Sequence, residues 1–393
     1  MVVKMDANAR KMSEPVEVDT TQIPVMSNNK IYSTISSEDK QKIVIFKIQV
    51  RNQKFSLATL LFDNQMKLLD KSREVIDYNE GSERYDNFSV DNHGNFVFTY
   101  TGQSGNKGNS NVLGLIIKES LQHEYTYQEI DLDKEYIDEV KLKIDNLNDR
   151  YIINTFYYQK NRGSIDGLFT YIWDNAKRKT YASQFTAFYD ALRAEAKQDG
   201  SLHFAFDDFY IRQVVVKKDG GFILTAEDYT SDTRETNSWN RYDYLYNPYP
   251  LSSGYYYYNP YSGYYRPYNN SYYENTRYYY ENILVQSISK EGKTEWSKII
   301  QKQQFGDNEE NFLSFSTMIS AGEMHFLFNK DTKNEVISDQ SISANGTLKR
   351  NPTLKSPERG YEFMPGLSKQ VGSNQLIIPC AFRNNICFAK IDF

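Results

Sequence analysis

Polar reversals set between alternating apolar strands return along the whole chain at a nearly constant interval, and no other property of the sequence restricts the fold as much. One kind of reversal joins two strands rich in Phe, Ile, Val and Tyr. Its clearest copies are Phe88 to Tyr100, turning at Asp91-Asn92-His93-Gly94, and Ile211 to Glu227, turning at Lys218-Asp219-Gly220-Gly221. Both contain the Asp and Gly that tight turns favour. Weaker copies turn near Ser37-Glu38-Asp39-Lys40, Leu147-Asn148-Asp149-Arg150, Ser320-Ala321-Gly322-Glu323 and Val371-Gly372-Ser373-Asn374. A second kind leads from an apolar strand into a more charged one: Leu57 to Leu69, Leu113 to Ile130, Leu168 to Tyr181, Ile283 to Ile300 and Val336 to Leu348. Its turns at Asp63, Glu119 and Asp174, and again at Lys290 and Ala344, lie about 55 residues apart.

Two hairpins per unit, the inner more apolar than the outer, are what a propeller blade requires. Inner strands are covered on both faces by neighbouring blades, whereas the outermost strand is wet. The expected fold is therefore all-β, a single β-propeller domain over residues 1–393 with six blades, seven being the alternative count. The terminal strands Val2-Val3-Lys4-Met5-Asp6 and Ile386 to Phe393 share a Lys-x-Asp pattern. That pattern fits either a six-blade ring closed by both ends or a truncated seven-blade one.

The interval from Asp174 to Lys290 is about twice the period, so the blade within it carries insertions. Residues 183–197 predict a short helix capped by Ser183, with Phe185, Phe188, Leu192 and Ala196 on one face. It reads as a helix packed over a blade edge, with partner docking as the alternative. Residues 237–280 hold 17 of the 33 tyrosines. Pro248, Pro250, Pro260 and Pro267 exclude a continuous strand or helix there, which leaves an extended Tyr-rich loop. Tyr255, Tyr256, Tyr257, Tyr258, Tyr261, Tyr264 and Tyr265 are its candidate binding residues, because each ring offers a flat apolar face and a hydroxyl at small entropic cost. The loop reads as a surface for a protein partner or glycan, as a self-packed cap, or as a low-complexity segment.

Nothing in the sequence marks a catalytic centre. The four histidines, His93, His123, His203 and His325, have no carboxylate or cysteine at ligand spacing, so neither a metal nor a cofactor is expected. The sequence has no nucleophile elbow, phosphate-cradling glycine loop or dinucleotide fingerprint. Asp207-Asp208 and Glu309-Glu310 read as turn acceptors or solvated loop charges. Asp131, Asp133 and Glu135 lack the glycine and distal glutamate of a calcium loop. Cys380 and Cys387 flank a short turn at Arg383-Asn384 and would lie opposite each other, so a cross-strand disulfide and a pair of buried free thiols both stand. With 51 acids against 46 bases the formal charge is -5, which argues against nucleic-acid binding. No apolar run approaches the roughly 20 residues of a membrane span, and Met1 to Arg10 lacks an export-signal core.

The segments Ser36-Ser37-Glu38-Asp39-Lys40, Leu61-Phe62-Asp63-Asn64-Gln65-Met66-Lys67-Leu68 and Val90-Asp91-Asn92-His93-Gly94-Asn95-Phe96-Val97 carry a resemblance. On them the chain resembles a group of uncharacterised exported β-propeller proteins of Bacteroidetes-type bacteria, over most of its length. The resemblance implies the fold and a periplasmic or cell-surface location, with a cytoplasmic one as the alternative, and it transfers no functional residue. The expected function is a non-enzymatic binding or scaffold protein of the cell envelope, contacting a protein partner through the Tyr-rich loop and one rim. The alternative is an extracellular carbohydrate-binding or carbohydrate-active propeller with its site at the central channel mouth.

Overall fold

The computed structural model describes residues 1–21, 31–79, 82–103, 108–197, 206–233, 276–330, 335–356 and 358–393. The chain divides into two compact units. One is built from Met1–Gly102 with Leu113–Glu129, and the other from Gln103–Val112 with the described residues after Glu129.

In the first unit β1 (Tyr32–Ser36), β2 (Lys42–Arg51), β3 (Lys54–Asp63) and β4 (Leu68–Asp77) form one antiparallel meander. A second is formed by β5 (Glu83–Val90), β6 (Phe96–Gly102), β7 (Val112–Lys118) and β8 (Tyr125–Ile130). β3, KFSLATLLFD, is buried at nearly every position, as a strand covered on both faces must be, whereas β4 is mostly wet. Phenylalanines from both sheets meet in one core. Phe46 lies 5.1 Å from Phe88 and Phe88 lies 5.0 Å from Phe98, centroid to centroid.

The recurring F-D and V-D motifs are turn devices. Asp63 Oδ1 accepts the amides of Gln65 and Lys67, each at 2.9 Å. Asp91 Oδ1 likewise accepts those of His93 and Asn95, at 2.9 and 2.8 Å. Gly94 completes the second turn at φ +91°, where a Cβ would also press on Ser120 Oγ and Leu61.

The second unit holds four further sheets. β9 (Tyr136–Asp145), β10 (Arg150–Tyr158), β11 (Gly167–Asp174) and β12 (Lys179–Ala187) are followed by α1 (Asp190–Ala196). β13 (Phe209–Val216), β14 (Phe222–Thr233), β15 (Thr276–Ile288) and β16 (Thr294–Ile300) come next, with β17 (Gln304–Asp307) added to β15. The fifth sheet is β18 (Phe315–Ser320), β19 (Glu323–Asn329), β20 (Val336–Ser343) and β21 (Leu348–Arg350), with β22 (Leu354–Lys355) also on β20. The sixth pairs β25 (Gln375–Phe382) with β23 (Tyr361–Phe363), β24 (Lys369–Gly372) and β26 (Asn385–Asp392). Successive antiparallel meanders with dry middle strands and a wet last strand make this a β-propeller fold, as the repeat predicts. Among the described residues the sheets number six.

The helical insertion is shorter than the sequence suggests. Ser183 and Phe185 are not helical: they belong to β12, opposite Tyr171 and Phe169, and the Phe169 and Phe185 rings lie 4.4 Å apart. The helix starts only after Tyr189 and buries Leu192 and Ala196. Period-2 pairing with β11 claims Phe185, a residue that also matches the helical period. The Tyr-rich stretch is corrected at its end. Tyr278, Tyr279 and Tyr280 lie in β15, paired with β14 and β17, because all four prolines precede them. Among the described residues no helix is long and apolar enough to cross a membrane.

Candidate active site

The fourth sheet departs from regular pairing twice within a few residues. Between β13 and β14 the register runs from Gln213 opposite Thr225 to Ile211 opposite Ala226, which leaves Arg212 as an extra residue. Between β14 and β15 it runs from Glu227 opposite Ile283 to Tyr229 opposite Tyr280, so Asp228 alone faces Glu281 and Asn282. Bulges of this kind bend the strand and re-aim side chains, and they are over-represented beside active sites. Here they gather charged groups from three strands.

Glu227 is completely buried and ringed by donors. Its Oε2 accepts from Arg212 Nε at 2.7 Å, from Arg212 Nη2, and from Ser314 Oγ at 2.6 Å. Its Oε1 pairs with Lys302 Nζ at 2.8 Å. Lys302 Nζ also donates to the Tyr280 carbonyl and to Gln304 Oε1, each at 2.9 Å. Burial alone would push the Glu227 carboxyl up, but Lys302 and Arg212 outweigh it and hold the group below the usual range. Tyr280 lies against this array: its hydroxyl donates to Glu310 Oε2 at 2.5 Å, and its ring sits 4.8 Å from that of Tyr229.

The next residue titrates the opposite way. Asp228 reaches solvent with part of its surface while its carboxyl packs deep. Burial first, then the charges of Asp208 and Glu281, push that carboxyl well above its ordinary value. Asp208 stands just before β13, whose Phe209 is opposite Asp228, and the Asp208 carbonyl accepts the Tyr229 amide at 3.0 Å. The part-exposed Asp208 and Glu281 therefore lie near enough for their charges to raise the Asp228 carboxyl, while the next residue along the strand, Glu227, is locked in an ion cluster. Divergent environments of this sort separate a general acid from a base.

The residues singled out from the sequence fall elsewhere. Tyr255, Tyr256, Tyr257, Tyr258, Tyr261, Tyr264 and Tyr265 lie outside the described residues. Cys380 and Cys387 face each other across β25 and β26 as free thiols, their sulfurs 3.1 Å apart. Among the described residues no three His, Cys, Asp or Glu side chains are grouped to hold a metal ion. His325 is paired with Asp339, Nδ1 to Oδ1 at 2.9 Å. Asp131 is a turn acceptor for the Asp133 amide at 2.9 Å. Asp208 and Glu310, expected to be solvated loop charges or turn acceptors, instead belong to the cluster around β14. Sequence reasoning passed over Glu227 and Asp228, although two adjacent acids continuing the apolar run Phe222 to Ala226 were a usable signal.

No protein-family model and no curated protein matches the chain. Among solved structures it is similar to a cobalt-substituted apocarotenoid oxygenase of Synechocystis, with 12% identity and a TM-score of 0.40, covering 84% of this chain and 61% of that one. A Trp149Ala mutant of the same oxygenase aligns at a TM-score of 0.41. An α-L-arabinanase of Penicillium chrysogenum complexed with arabinobiose aligns at 8% identity and a TM-score of 0.37, covering 91% of this chain and 92% of that one. The chain thus spans about three fifths of the oxygenase. Both neighbours are enzymes, where the expectation was a non-enzymatic scaffold that contacts a protein partner through the Tyr-rich loop and one rim. Contiguous motifs are a poor guide here, because the carboxylates come from separate strands. Identity and TM-score this low assign neither neighbour's reaction to this chain.

Proposed function

We propose that the chain is a carbohydrate-active propeller that cleaves glycosidic bonds by acid–base catalysis at the bulge of β13, β14 and β15. One observation carries this reading: at the bulge opposite Glu281 the Asp228 carboxyl is pushed well above its ordinary value, by burial first and then by the charges of Asp208 and Glu281. Glycosidic cleavage needs one carboxylic acid to protonate the leaving oxygen and one carboxylate to activate water or attack the anomeric carbon. Asp228 is the acid. Asp208, the neighbour whose charge weighs most on it, takes the part of the base or nucleophile. Glu227, neutralised by Lys302 and Arg212, anchors the bulge and transfers no proton. A location outside the cytoplasm, implied by the resemblance to exported proteins, agrees with polymeric glycans as substrates.

The test is a panel of arabinan, xylan, mannan, pectin and aryl glycosides, with detection of new reducing ends. Turnover is expected on at least one member and is expected to fall about 100-fold or more in Asp228→Asn. The rate should decline on the alkaline side as Asp228 loses its proton. Absence of turnover across the panel, or an Asp228→Asn variant as active as the wild type, refutes the reading.

A further inference from the structure

In the sixth sheet Cys380 on β25 is directly opposite Cys387 on β26, and the two-residue turn Arg383-Asn384 fixes that register. The sulfurs are 3.1 Å apart, and Cys387 Sγ also points at the Cys380 carbonyl at 3.3 Å. Directly opposed residues of an antiparallel pair have Cα atoms roughly 4.5 to 5.5 Å apart, inside the range a disulfide spans. A bond of about 2.05 Å therefore needs the sulfurs to close by only about 1 Å. The partners differ in access: Cys380 is buried and Cys387 is partly exposed. Burial, and then the hydrogen bond with Cys387, push the Cys380 thiol up to about 12. Among the described residues β26 pairs with β25 alone. It also carries Ile386 and Phe388 on its exposed side.

We propose that Cys380 and Cys387 are a thiol–disulfide exchange site that latches the last strand to its sheet, with a small-molecule disulfide as the oxidant. The accessible Cys387 sulfur, as its thiolate, attacks the external disulfide, forming a mixed disulfide and releasing one thiol. The Cys380 sulfur, already in contact, then attacks the Cys387 sulfur and displaces the second small thiol. One disulfide is consumed and one formed, two small thiols appear, and the two electrons lost by the protein sulfurs reduce the external disulfide. The two protein thiol protons end on the released thiols. Exchange requires a thiolate, and burial suppresses it at Cys380, so the order of attack follows from access.

The experiment uses the full chain equilibrated with glutathione disulfide, followed by denaturing alkylation and intact mass measurement. The expected product has lost two hydrogens, carries no alkyl group and no glutathione, and forms at a rate independent of protein concentration. Cys380→Ser is expected to accumulate a stable glutathione adduct on Cys387, whereas Cys387→Ser stays reduced at Cys380. The oxidised chain is also expected to protect the amides of β26 from hydrogen exchange more than the dithiothreitol-treated chain does. Two alkylatable thiols after equilibration, a glutathione adduct that persists on the wild type, or a disulfide-linked dimer would each overturn the proposal. Because the wild-type readout requires no substitution, a variant that failed to fold would leave the proposal just as testable.

Discussion

Replacing Lys302 with Met tests whether the charges under the bulge behave as a closed buried cluster. The lysine side chain is 1% exposed and that of Glu227 is 0% exposed. Methionine keeps most of the apolar stem, so the change isolates the ammonium. Its loss removes the 2.8 Å ion pair with Glu227 Oε1 and two donations at 2.9 Å, leaving the Tyr280 carbonyl and Gln304 Oε1 short of a donor. Each stranded buried acceptor costs about 1–3 kcal/mol, and breaking a buried pair on one side costs about 3–5 kcal/mol in total. Arg212 and Ser314 remain on Oε2, which places the expectation near 3 kcal/mol, at the lower end of that range. Urea unfolding, followed by tryptophan fluorescence and far-UV circular dichroism together, reads the loss and exposes any intermediate. Lys54→Met, which breaks the exposed pair with Asp77, serves as the control and should cost under about 1 kcal/mol. The folded-state carboxyl of Glu227 lies below its unfolded value. Its contribution is therefore complete above the unfolded pKa of about 4.3 and is lost as pH falls through the folded one. The gap between wild type and Lys302→Met should narrow at acid pH accordingly. A Lys302→Met cost below about 1 kcal/mol, or one equal to the Lys54→Met control, would show that water reaches the cluster and would refute the reasoning.

Two further outcomes follow from the same geometry. Asp228 has its folded-state carboxyl raised, so it binds a proton more tightly folded than unfolded, and its contribution to stability declines as pH rises above the unfolded pKa of about 3.9. Asp228→Asn is expected to stabilise the chain by about 1 kcal/mol at pH 7 and by little near pH 4, a gain typical of replaced functional acids; a loss at pH 7 in thermal unfolding would count against the assignment. Asp91 is buried and accepts from the His93 amide, the Asn95 amide and Asn95 Nδ2 at 2.9, 2.8 and 2.7 Å. Asp91→Ala should cost about 2 kcal/mol in urea unfolding, while Asp91→Asn, which keeps the Oδ1 acceptor, should cost less.

The strands and reversals of this chain were legible because their causes are local. Alternation with period two, an aspartate that accepts amides two and four residues on, and a glycine at positive φ each act within a single turn, and the hairpins at Asp91 and Lys218 lie where these signals put them. Where two local signals compete, only tertiary pairing decides. Phe185 fits a helical face, but opposite Phe169 it completes a strand pair. The candidate site lies beyond local signals altogether. Asp208, Asp228 and Glu281 are far apart in sequence, and the pairing of β13 with β14 and the bulge between β14 and β15 put Asp208 and Glu281 near Asp228. Lys302, a residue type normally read as surface, is buried because Glu227 and Gln304 surround it. The repeat of short-range preferences thus determined the β-propeller by itself. Register and burial, set by which strands lie side by side, decided which carboxyl is pushed up and which is held down.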